Sequence, residues 1–245
     1  MTARQRLDLA LEARGLLPSR ARARDAVLRG TVRVNGIVAG KPNQQVSDTD
    51  SIELNDPAAA YVSRAALKLI AGLDAGAIEV AGRTCLDIGA STGGFTQVLL
   101  ERGAAKVFAV DVGHGQLAPV IAADPRVVEF EGFNARDLGR AEIPDPIDLI
   151  VSDVSFVSVT KVLAAPLALC RAGADAVVLI KPQFEVGRDN IGKGGIVTDE
   201  AAIAKAAADV VAFMAAEGWT HRLSVPSPVT GGDGNREVVA VFRRN

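Results

Sequence analysis

The stretch T-C-L-D-I-G-A-S-T-G-G-F, residues 84–95, joins an apolar run to a glycine-rich turn and the start of a helix. A second apolar run, K-V-F-A-V-D, follows at residues 106–111 and ends in the carboxylate of Asp111. Glycines after a strand let the backbone approach a bound nucleoside closely, because no Cβ stands in the way. The two runs therefore predict a nucleotide-binding α/β domain in which Asp111 accepts hydrogen bonds from ribose hydroxyls.

The glycine spacing distinguishes between cofactor classes. A dinucleotide site requires G-x-G-x-x-G, whereas this chain has G-x-x-x-G-G from Gly89 to Gly94. An acid at Asp87, just before the turn, is more typical of enzymes that bind S-adenosylmethionine. This cofactor has no pyrophosphate, so its site needs no phosphate cradle. We therefore predict S-adenosylmethionine as the cofactor. The predicted contacts are Asp87, Gly89, Ala90, Ser91, Thr92, Gly93, Gly94, Asp111, Val112, Asn134 and Asp153.

Strand and helix patterns alternate from residue 63 onwards. Strands are predicted at 84–89, 106–111, 127–131, 147–152, 175–180, 219–225 and 236–242, and helices at 63–73, 94–102, 116–123, 158–170 and 199–217. Such alternation predicts a mostly parallel sheet covered on both faces. Only the turn T-G-G-D-G-N joins the last two strands, which is too short for a parallel crossover. The expected fold is α/β: a class I (Rossmann-like) S-adenosylmethionine-dependent methyltransferase with a seven-stranded, mostly parallel sheet and an antiparallel last strand.

The first part of the chain has a different pattern. Residues 4–17 have near-helical leucine spacing, and Ser19 can cap a second helix. Asn35-Gly36 indicates a hairpin, because both residues tolerate the positive φ of a tight turn, and a third strand follows near residue 51. We predict a small α+β RNA-binding domain over 1–56, a linker over 57–62 and the methyltransferase domain over 63–245.

The RNA-binding prediction depends on charge. The 245-residue chain has a net charge of −2, yet residues 1–45 carry nine basic and three acidic side chains. That segment is therefore +6 and the remainder −8. A basic segment on an acidic body favours a polyanionic partner. The alternative is a solvated charged surface with no partner.

Composition excludes other classes of protein. Cys85 and Cys170 lie in apolar stretches without metal-ligand spacing, which is typical of reduced thiols and indicates no metal site. The first residues lack the apolar core of a signal peptide, and the most apolar segment is interrupted by Lys205 and Asp209. These features predict a cytoplasmic protein without a membrane partner; they indicate no oligomeric state.

Four charged residues begin or end predicted elements. Asp153 and Lys181 follow apolar strands, Glu237 begins the last strand, and Lys68 lies on the helix that leads into the domain. Strand ends at one edge of such a sheet meet in space, so the four can build one pocket. We predict that they are catalytic: Lys181 removes a proton from an acceptor hydroxyl, while the carboxylates orient the lysines and keep Lys68 charged.

A free lysine amine is protonated near neutral pH and is a poor base. Burial, the ammonium of Lys68 and a bound sulfonium would favour the neutral form of Lys181, whereas direct pairing with Asp153 or Glu237 would oppose it. The alternative to a catalytic role is that the four residues form a pair of ordinary salt bridges. Lys181 argues against it, because an apolar strand followed by P-Q-F-E is not the pattern of a solvated strand.

Two features of the predicted loops leave alternatives open. Phe156 and Phe184 lie just beyond strand ends, where they pack against an unstacked base or merely anchor loops. The glycine-rich stretch from Gly187 to Gly195 is a flap over the acceptor site or simply a long turn.

Several motifs together resemble the TlyA family of ribosomal RNA 2′-O-methyltransferases, whose members also bear the haemolysin name. The first half carries R-L-D-L-A-L-E-A-R-G-L-L-P-S-R (6–20), V-R-V-N-G (32–36) and K-P (41–42), which resemble a ribosomal-protein-type RNA-binding domain. The second carries L-D-I-G-A-S-T-G-G-F-T (86–96), D-V-G-H-G-Q-L (111–117), S-D-V-S-F (152–156), K-P-Q-F-E-V-G (181–187) and G-N-R-E (234–237), which resemble an FtsJ-like methyltransferase.

The resemblance implies a K-D-K-E tetrad at Lys68, Asp153, Lys181 and Glu237. It also implies RNA contacts by Arg4, Arg6, Arg20, Lys41 and Arg136, to which the residue-based interpretation adds Phe156. The implied acceptor is a cytidine 2′-hydroxyl of ribosomal RNA within a ribosomal subunit. The sequence starts close to its first motif and stops at Phe242-Arg243-Arg244-Asn245, so the resemblance implies the short form that acts on the large subunit (23S), with 16S as a second possibility.

Three other functions compete with this interpretation. A pore-forming haemolysin would need an amphipathic or spanning segment, which the sequence does not show. A non-catalytic RNA-binding assembly factor would not need the intact tetrad. A methyltransferase of small molecules or proteins would not need the basic segment over residues 1–45.

Overall fold

The computed structural model describes residues 4–231 and 234–245. The chain forms two compact units, residues 1–60 and 61–245. Residues 232 and 233, within the predicted T-G-G-D-G-N turn, lie outside the described residues, as do residues 1–3.

The first unit is a small α+β fold. Its elements are β1 (Arg4–Arg6), α1 (Leu7–Ala13), α2 (Arg20–Leu28), β2 (Val32–Val34), β3 (Ile37–Val38), β4 (Gln45–Ser47), β5 (Ile52–Leu54) and a 3₁₀ turn (Pro57–Ala60). β1 pairs antiparallel with β4, and β3-β2-β5 forms an antiparallel sheet. Its core contains Leu7, Leu11, Leu17, Val27, Val32 and Val46.

The local predictions for this unit are mostly confirmed. The Ser19 side chain accepts a hydrogen bond from the Arg22 N–H and caps α2, and Asn35-Gly36 turns the hairpin with φ of 50° and 79°. The helix predicted over 4–17 is wrong at its start, because Arg4–Arg6 pairs with β4 instead. Leucine spacing is local information and cannot reveal a partner strand some forty residues away.

The second unit is the predicted α/β fold. Its helices are α3 (Ala66–Ala75), α4 (Gly94–Glu101), α5 (Pro119–Ala122), α6 (Ala164–Ala168), α7 (Pro182–Glu185) and α8 (Glu200–Ala216). Its strands are β6 (Thr84–Ile88), β7 (Lys106–Val110), β8 (Val127–Phe130), β9 (Ile147–Ser152), β10 (Cys170–Ile180), β11 (Trp219–Pro226) and β12 (Val238–Arg244). The seven-stranded sheet has the order β11-β12-β10-β9-β6-β7-β8. β12 is antiparallel to both neighbours, which confirms the predicted topology.

Both faces of this sheet are buried. Ile150 and Val178 point to one apolar cluster, whereas Leu149, Val151 and Val177 point to the other. Alternate residues of β9 and β10 thus serve opposite cores, and this explains why these strands are apolar throughout.

Two predicted helices are shorter than expected. The helix at 116–123 begins only at Pro119, because the Glu131 carboxylate accepts hydrogen bonds from the backbone N–H groups of Gly115, Gln116 and Leu117 and holds them in a loop. The helix at 158–170 is a 3₁₀ turn (Val159–Lys161) followed by α6, and β10 already begins at Cys170.

Candidate active site

The sheet topology brings the predicted site residues to one edge. β7, β6, β9 and β10 run parallel, and their carboxyl ends lead directly into Asp111, Gly89, Asp153 and Lys181. β12 runs the opposite way, and its first residue, Val238, pairs with Ile180. The start of β12 therefore lies at the same edge, and Glu237 and Lys181 directly adjoin this last pair of the ladder.

Lys68 reaches this edge because α3 packs very closely on the sheet. A Cβ built on Gly72 would lie 2.6 Å from Val177 Cγ1 and 2.7 Å from Val239 Cγ1. Only glycine permits this approach over β10 and β12. Lys68 lies one helical turn before Gly72 and is therefore directed at the end of β12.

The four charged side chains form a buried chain of ion pairs. Lys68 Nζ is 2.5 Å from Glu237 Oε2 and 3.6 Å from Asp153 Oδ2, and Lys181 Nζ is 2.7 Å from Asp153 Oδ1. All four side chains are at most 12% exposed. Two positive and two negative charges balance, which makes their common burial tolerable.

Lys181 has three polar neighbours. Its Nζ donates to Ser155 Oγ at 2.6 Å and to the Asp153 carbonyl oxygen at 3.3 Å, besides the Asp153 carboxylate. The contact with Oδ1 is close but poorly aligned, so it is an ion pair and not a true hydrogen bond. Asp153 therefore contacts both lysines, whereas Glu237 contacts Lys68. Asp153 pairs directly with Lys181 because the ends of β9 and β10 are adjacent.

A cavity of about 550 Å³ opens beside this cluster, and a second one of about 160 Å³ adjoins it. Gly89, Ser91, Asp153 and Ser155 line both. Of the predicted cofactor residues, the larger cavity is also lined by Asp111, Val112 and Asn134, and the smaller by Ala90, Thr92 and Gly94. The predicted catalytic residue Lys181 also lines the smaller cavity. The cofactor residues and the proposed base therefore border one continuous region.

Two observations support the fit of a nucleoside cofactor here. A Cβ on Gly89 would lie 3.2 Å from the backbone of Asp153 and Val154, and its φ of +84° favours glycine. The Asp111 carboxylate accepts hydrogen bonds from the N–H groups of Ser91 and Gly113 and lines the cavity wall. Its orientation is thus fixed by backbone, and its other lone pairs remain for ribose hydroxyls.

Asp87 and Gly93 lie behind the cavities. Asp87 is fully buried, its Oδ2 accepts from Thr96 Oγ1 at 2.7 Å, and its Oδ1 has no partner among the described residues. Burial raises the pKa of Asp87 to about 7, although the Thr96 hydrogen bond opposes this. Gly93, with φ +93°, allows the turn to approach Leu117, since a Cβ would lie 2.8 Å from Leu117 Cδ1.

Phe156 and Arg136 flank the larger cavity. Phe156 is 91% exposed and has a φ of +66°, which is uncommon for a bulky side chain. Its ring centroid lies 5.4 Å from that of Phe184. The strained backbone presents an apolar ring to solvent beside the cavity, and the ring contact with Phe184 is one that a loop anchor would also make.

Four residues that are predicted to contact RNA belong to the first unit: Arg4, Arg6, Arg20 and Lys41. Asp8, only 1% exposed, accepts from Arg6 Nε at 2.9 Å and from Arg20 Nε at 3.1 Å. The Arg6 hydrogen bond, together with Arg20, lowers the pKa of Asp8 to about 2. Arg4 and Lys41 are exposed. Asp8 was not anticipated, because a lone acid in a basic segment gives no signal of its own.

Both cysteine thiols are free and buried. Burial raises the pKa of the Cys85 and Cys170 thiols to about 12, so both are inert at neutral pH. Within residues 4–231 and 234–245, no group of three or more acidic, histidine or cysteine side chains is arranged to hold a metal ion. Over the same residues, the helices are too short or too polar to cross a membrane.

The fold and this site define a methyltransferase of the S-adenosylmethionine-dependent class. The family model for FtsJ-like methyltransferases matches residues 61–244, and the model for the S4 domain matches residues 5–52. The chain is 48% identical over 239 residues to the 16S/23S rRNA (cytidine-2′-O)-methyltransferase TlyA of Mycobacterium tuberculosis, covering 97% of this chain and 89% of that protein. The chain therefore belongs to the TlyA family, which joins an S4 domain to an FtsJ-like methyltransferase domain.

Other relatives agree with this assignment. Hemolysin A of Brachyspira hyodysenteriae is 41% identical over 97% of this chain and 99% of its own length. A solved Streptococcus thermophilus structure that bears the hemolysin name is 35% identical, with a TM-score of 0.78 over 100% of this chain and 90% of that one. The Synechocystis magnesium protoporphyrin IX methyltransferase with bound S-adenosylhomocysteine, at 13% identity and a TM-score of 0.53 over 74% of this chain and 83% of that one, shares the fold alone.

Proposed function

We propose that this protein transfers a methyl group from S-adenosylmethionine to the 2′-hydroxyl of a cytidine in ribosomal RNA, with 23S rRNA in the large subunit as the first candidate and 16S rRNA as the second. The observation that carries the proposal is the buried Lys181–Asp153–Lys68–Glu237 chain at the rim of the cofactor cavity. The Mycobacterium tuberculosis and Campylobacter jejuni relatives support the substrate, since both bear the name rRNA (cytidine-2′-O)-methyltransferase.

S-adenosylmethionine supplies an electrophilic methyl group when it is bound. The residues of this chain have to hold an alcohol in line with it and take the alcohol's proton. Gly89 and Asp111 shape the nucleoside end of the site, and Lys181 lines the smaller cavity, where its Nζ can meet an acceptor hydroxyl. Asp153 holds this nitrogen in place, and Glu237 keeps Lys68 beside Asp153.

The neutral amine of Lys181 is the proposed general base. Asp153 pairs directly with it in this structure. Bound cofactor would add a positive charge to the site, and repulsion between like charges would then favour the neutral amine. The proposal therefore implies that cofactor binding promotes the role of Lys181 as a base.

The proposed RNA contacts are Arg4, Arg6, Arg20 and Lys41 in the S4 unit, with Arg136 and Phe156 beside the cavity. Asp8 holds Arg6 and Arg20 around one carboxylate, so their guanidinium groups are oriented together. Guanidinium groups fixed in this way suit bidentate contacts with phosphates. The Phe156 ring, 91% exposed, offers a face on which a cytosine lifted out of its helix can stack.

The decisive test is methylation of isolated ribosomal subunits from cells that lack this modification, with methyl-labelled cofactor. We expect label in ribosomal RNA at a single ribose, mapped by alkaline resistance of the adjacent phosphodiester. A substrate with 2′-deoxycytidine at the mapped position is the matched control and should take up no label. Label in a base, in ribosomal protein or in the deoxy control would reject the proposal.

A further inference from the structure

Ser155 is the exposed neighbour of the reacting nitrogen. Its hydroxyl oxygen lies 2.6 Å from Lys181 Nζ, and the residue lines both cavities. Lys181 itself is 6% exposed, and Asp153, Lys68 and Glu237 are at most 12% exposed at their side chains. Of the polar groups that contact Lys181 Nζ, the Ser155 hydroxyl is thus the one carried by an exposed residue.

The chemistry of the three contacts separates their roles. A lysine ammonium has three N–H donors and no acceptor, and here they face Ser155 Oγ, the Asp153 carboxylate and the Asp153 carbonyl oxygen. Carbonyl and ionised carboxylate oxygens can only accept. A neutral amine keeps two N–H donors and gains one lone pair. Of the three neighbours, only the Ser155 hydroxyl can turn its O–H towards that lone pair, because a hydroxyl both accepts and donates.

We propose that Ser155 is a catalytic residue that carries the proton between Lys181 and solvent. The inference rests on the proposed role of Lys181 as the base. In the releasing step, an Nζ–H bond breaks and an O–H bond forms at Ser155 Oγ, while the original Oγ–H bond breaks and its proton passes to a water molecule. Lys181 becomes neutral, Ser155 is unchanged, and one proton reaches solvent. The same step removes the proton that Lys181 takes from the acceptor alcohol.

Hydrogen exchange of the Lys181 ammonium tests this route without any substrate. The Nζ group is observed by nuclear magnetic resonance in protein labelled with ¹⁵N-lysine, and its exchange with water is measured in the full chain. We expect exchange about tenfold slower in Ser155→Ala, near the wild-type rate in Ser155→Thr, which keeps the hydroxyl, and unchanged in Ser224→Ala, an exposed serine of β11. Equal rates in Ser155→Ala and wild type would overturn the proposal.

Turnover provides the second readout. Ser155→Ala should lower kcat by at least about tenfold with little change in the dissociation constant of the cofactor, and increasing concentrations of a small buffer base should restore its rate more than that of wild type. A loss of kcat that neither buffer nor threonine relieves would assign Ser155 a purely structural role and overturn the proposal. If wild type methylates no ribosomal RNA while the exchange effect holds, the proposed function fails and the proton route stands.

Discussion

The Lys68 ammonium lies 2.5 Å from Glu237 Oε2, although 169 positions separate the two residues in the chain. Their side chains are 8% and 2% exposed. This pair links α3 to the start of β12, at the edge where the parallel strands β10, β9, β6, β7 and β8 end. Since Asp153 lies 3.6 Å from the same ammonium, Lys68 joins the two carboxylates of the site and prevents their mutual repulsion.

Removal of the Glu237 charge should therefore destabilise the protein as well as inactivate it. Glu237→Gln leaves a buried ammonium with a weaker partner, and we expect the free energy of unfolding to fall by about 3 kcal/mol. The double variant Lys68→Met/Glu237→Leu removes both charges and should be more stable than the single variant, yet inactive. Urea unfolding measures the stability of the single and of the double variant. A double variant less stable than Glu237→Gln would contradict the view that the unpaired buried charge is what destabilises the protein.

Lys181 should separate catalysis from cofactor binding. Lys181→Ala removes the proposed base but leaves Gly89 and Asp111 in place, so kcat should fall by at least about 100-fold with the cofactor dissociation constant changed less than about threefold. Labelled methyl transfer and calorimetry measure the two quantities. Lys205→Ala, on the exposed face of α8, is the control and should behave as wild type. Wild-type turnover in Lys181→Ala would remove this residue from the mechanism.

The glycine turn permits a comparison of two substitutions with similar backbone cost. Gly89 and Gly82 have φ of +84° and +73°, but only at Gly89 would a Cβ meet other atoms, 3.2 Å away in Asp153 and Val154. Both alanine variants should lose about 1–2 kcal/mol of stability from the left-handed backbone. Gly89→Ala should additionally weaken cofactor binding at least about tenfold, measured by calorimetry, whereas Gly82→Ala should not. Equal cofactor affinities in the two variants would mean that the close approach at Gly89 has no functional importance.

The sequence predicted much of this site because its signals are local. An apolar run followed by Asp111, Asp153 or Lys181 marks a strand end, and parallel connectivity then requires these ends to share an edge. The close approach of α3 to β10 and β12 at Gly72 could not be predicted, because a glycine within a helix does not indicate which side chains will lie opposite it in the fold. Ser155 was missed for a similar reason: a serine in a polar loop looks ordinary until the lysine of the next strand is placed against it.

Asp87 should make the stability of the protein depend on pH in an unusual direction. Its folded-state pKa, raised by burial to about 7 from 3.8, means that its neutral form is favoured by folding. The resulting contribution of Asp87 to the free energy of unfolding is fully present below about pH 4 and is lost as the pH rises towards 7. Asp87→Asn keeps an acceptor for the Thr96 hydroxyl and cannot ionise. The difference in melting temperature, variant minus wild type, should therefore increase between pH 4 and 8; a constant difference would show that Asp87 is ionised throughout.

Ribosomal RNA binding should depend on where positive charge is removed from the S4 unit. Lys41→Ala and Arg20→Ala each remove a proposed phosphate contact, so affinity should fall and the slope of log K against log salt should become shallower by about 0.7–1. Arg33→Ala removes the same charge from β2, where the side chain donates to the Gly36 carbonyl, and serves as the matched control. Because all three variants change net charge equally, a nonspecific attraction would shift the three slopes alike. A shift confined to Lys41 and Arg20 would localise the RNA on the part of the S4 unit that carries these two residues, whereas three equal shifts would refute that localisation.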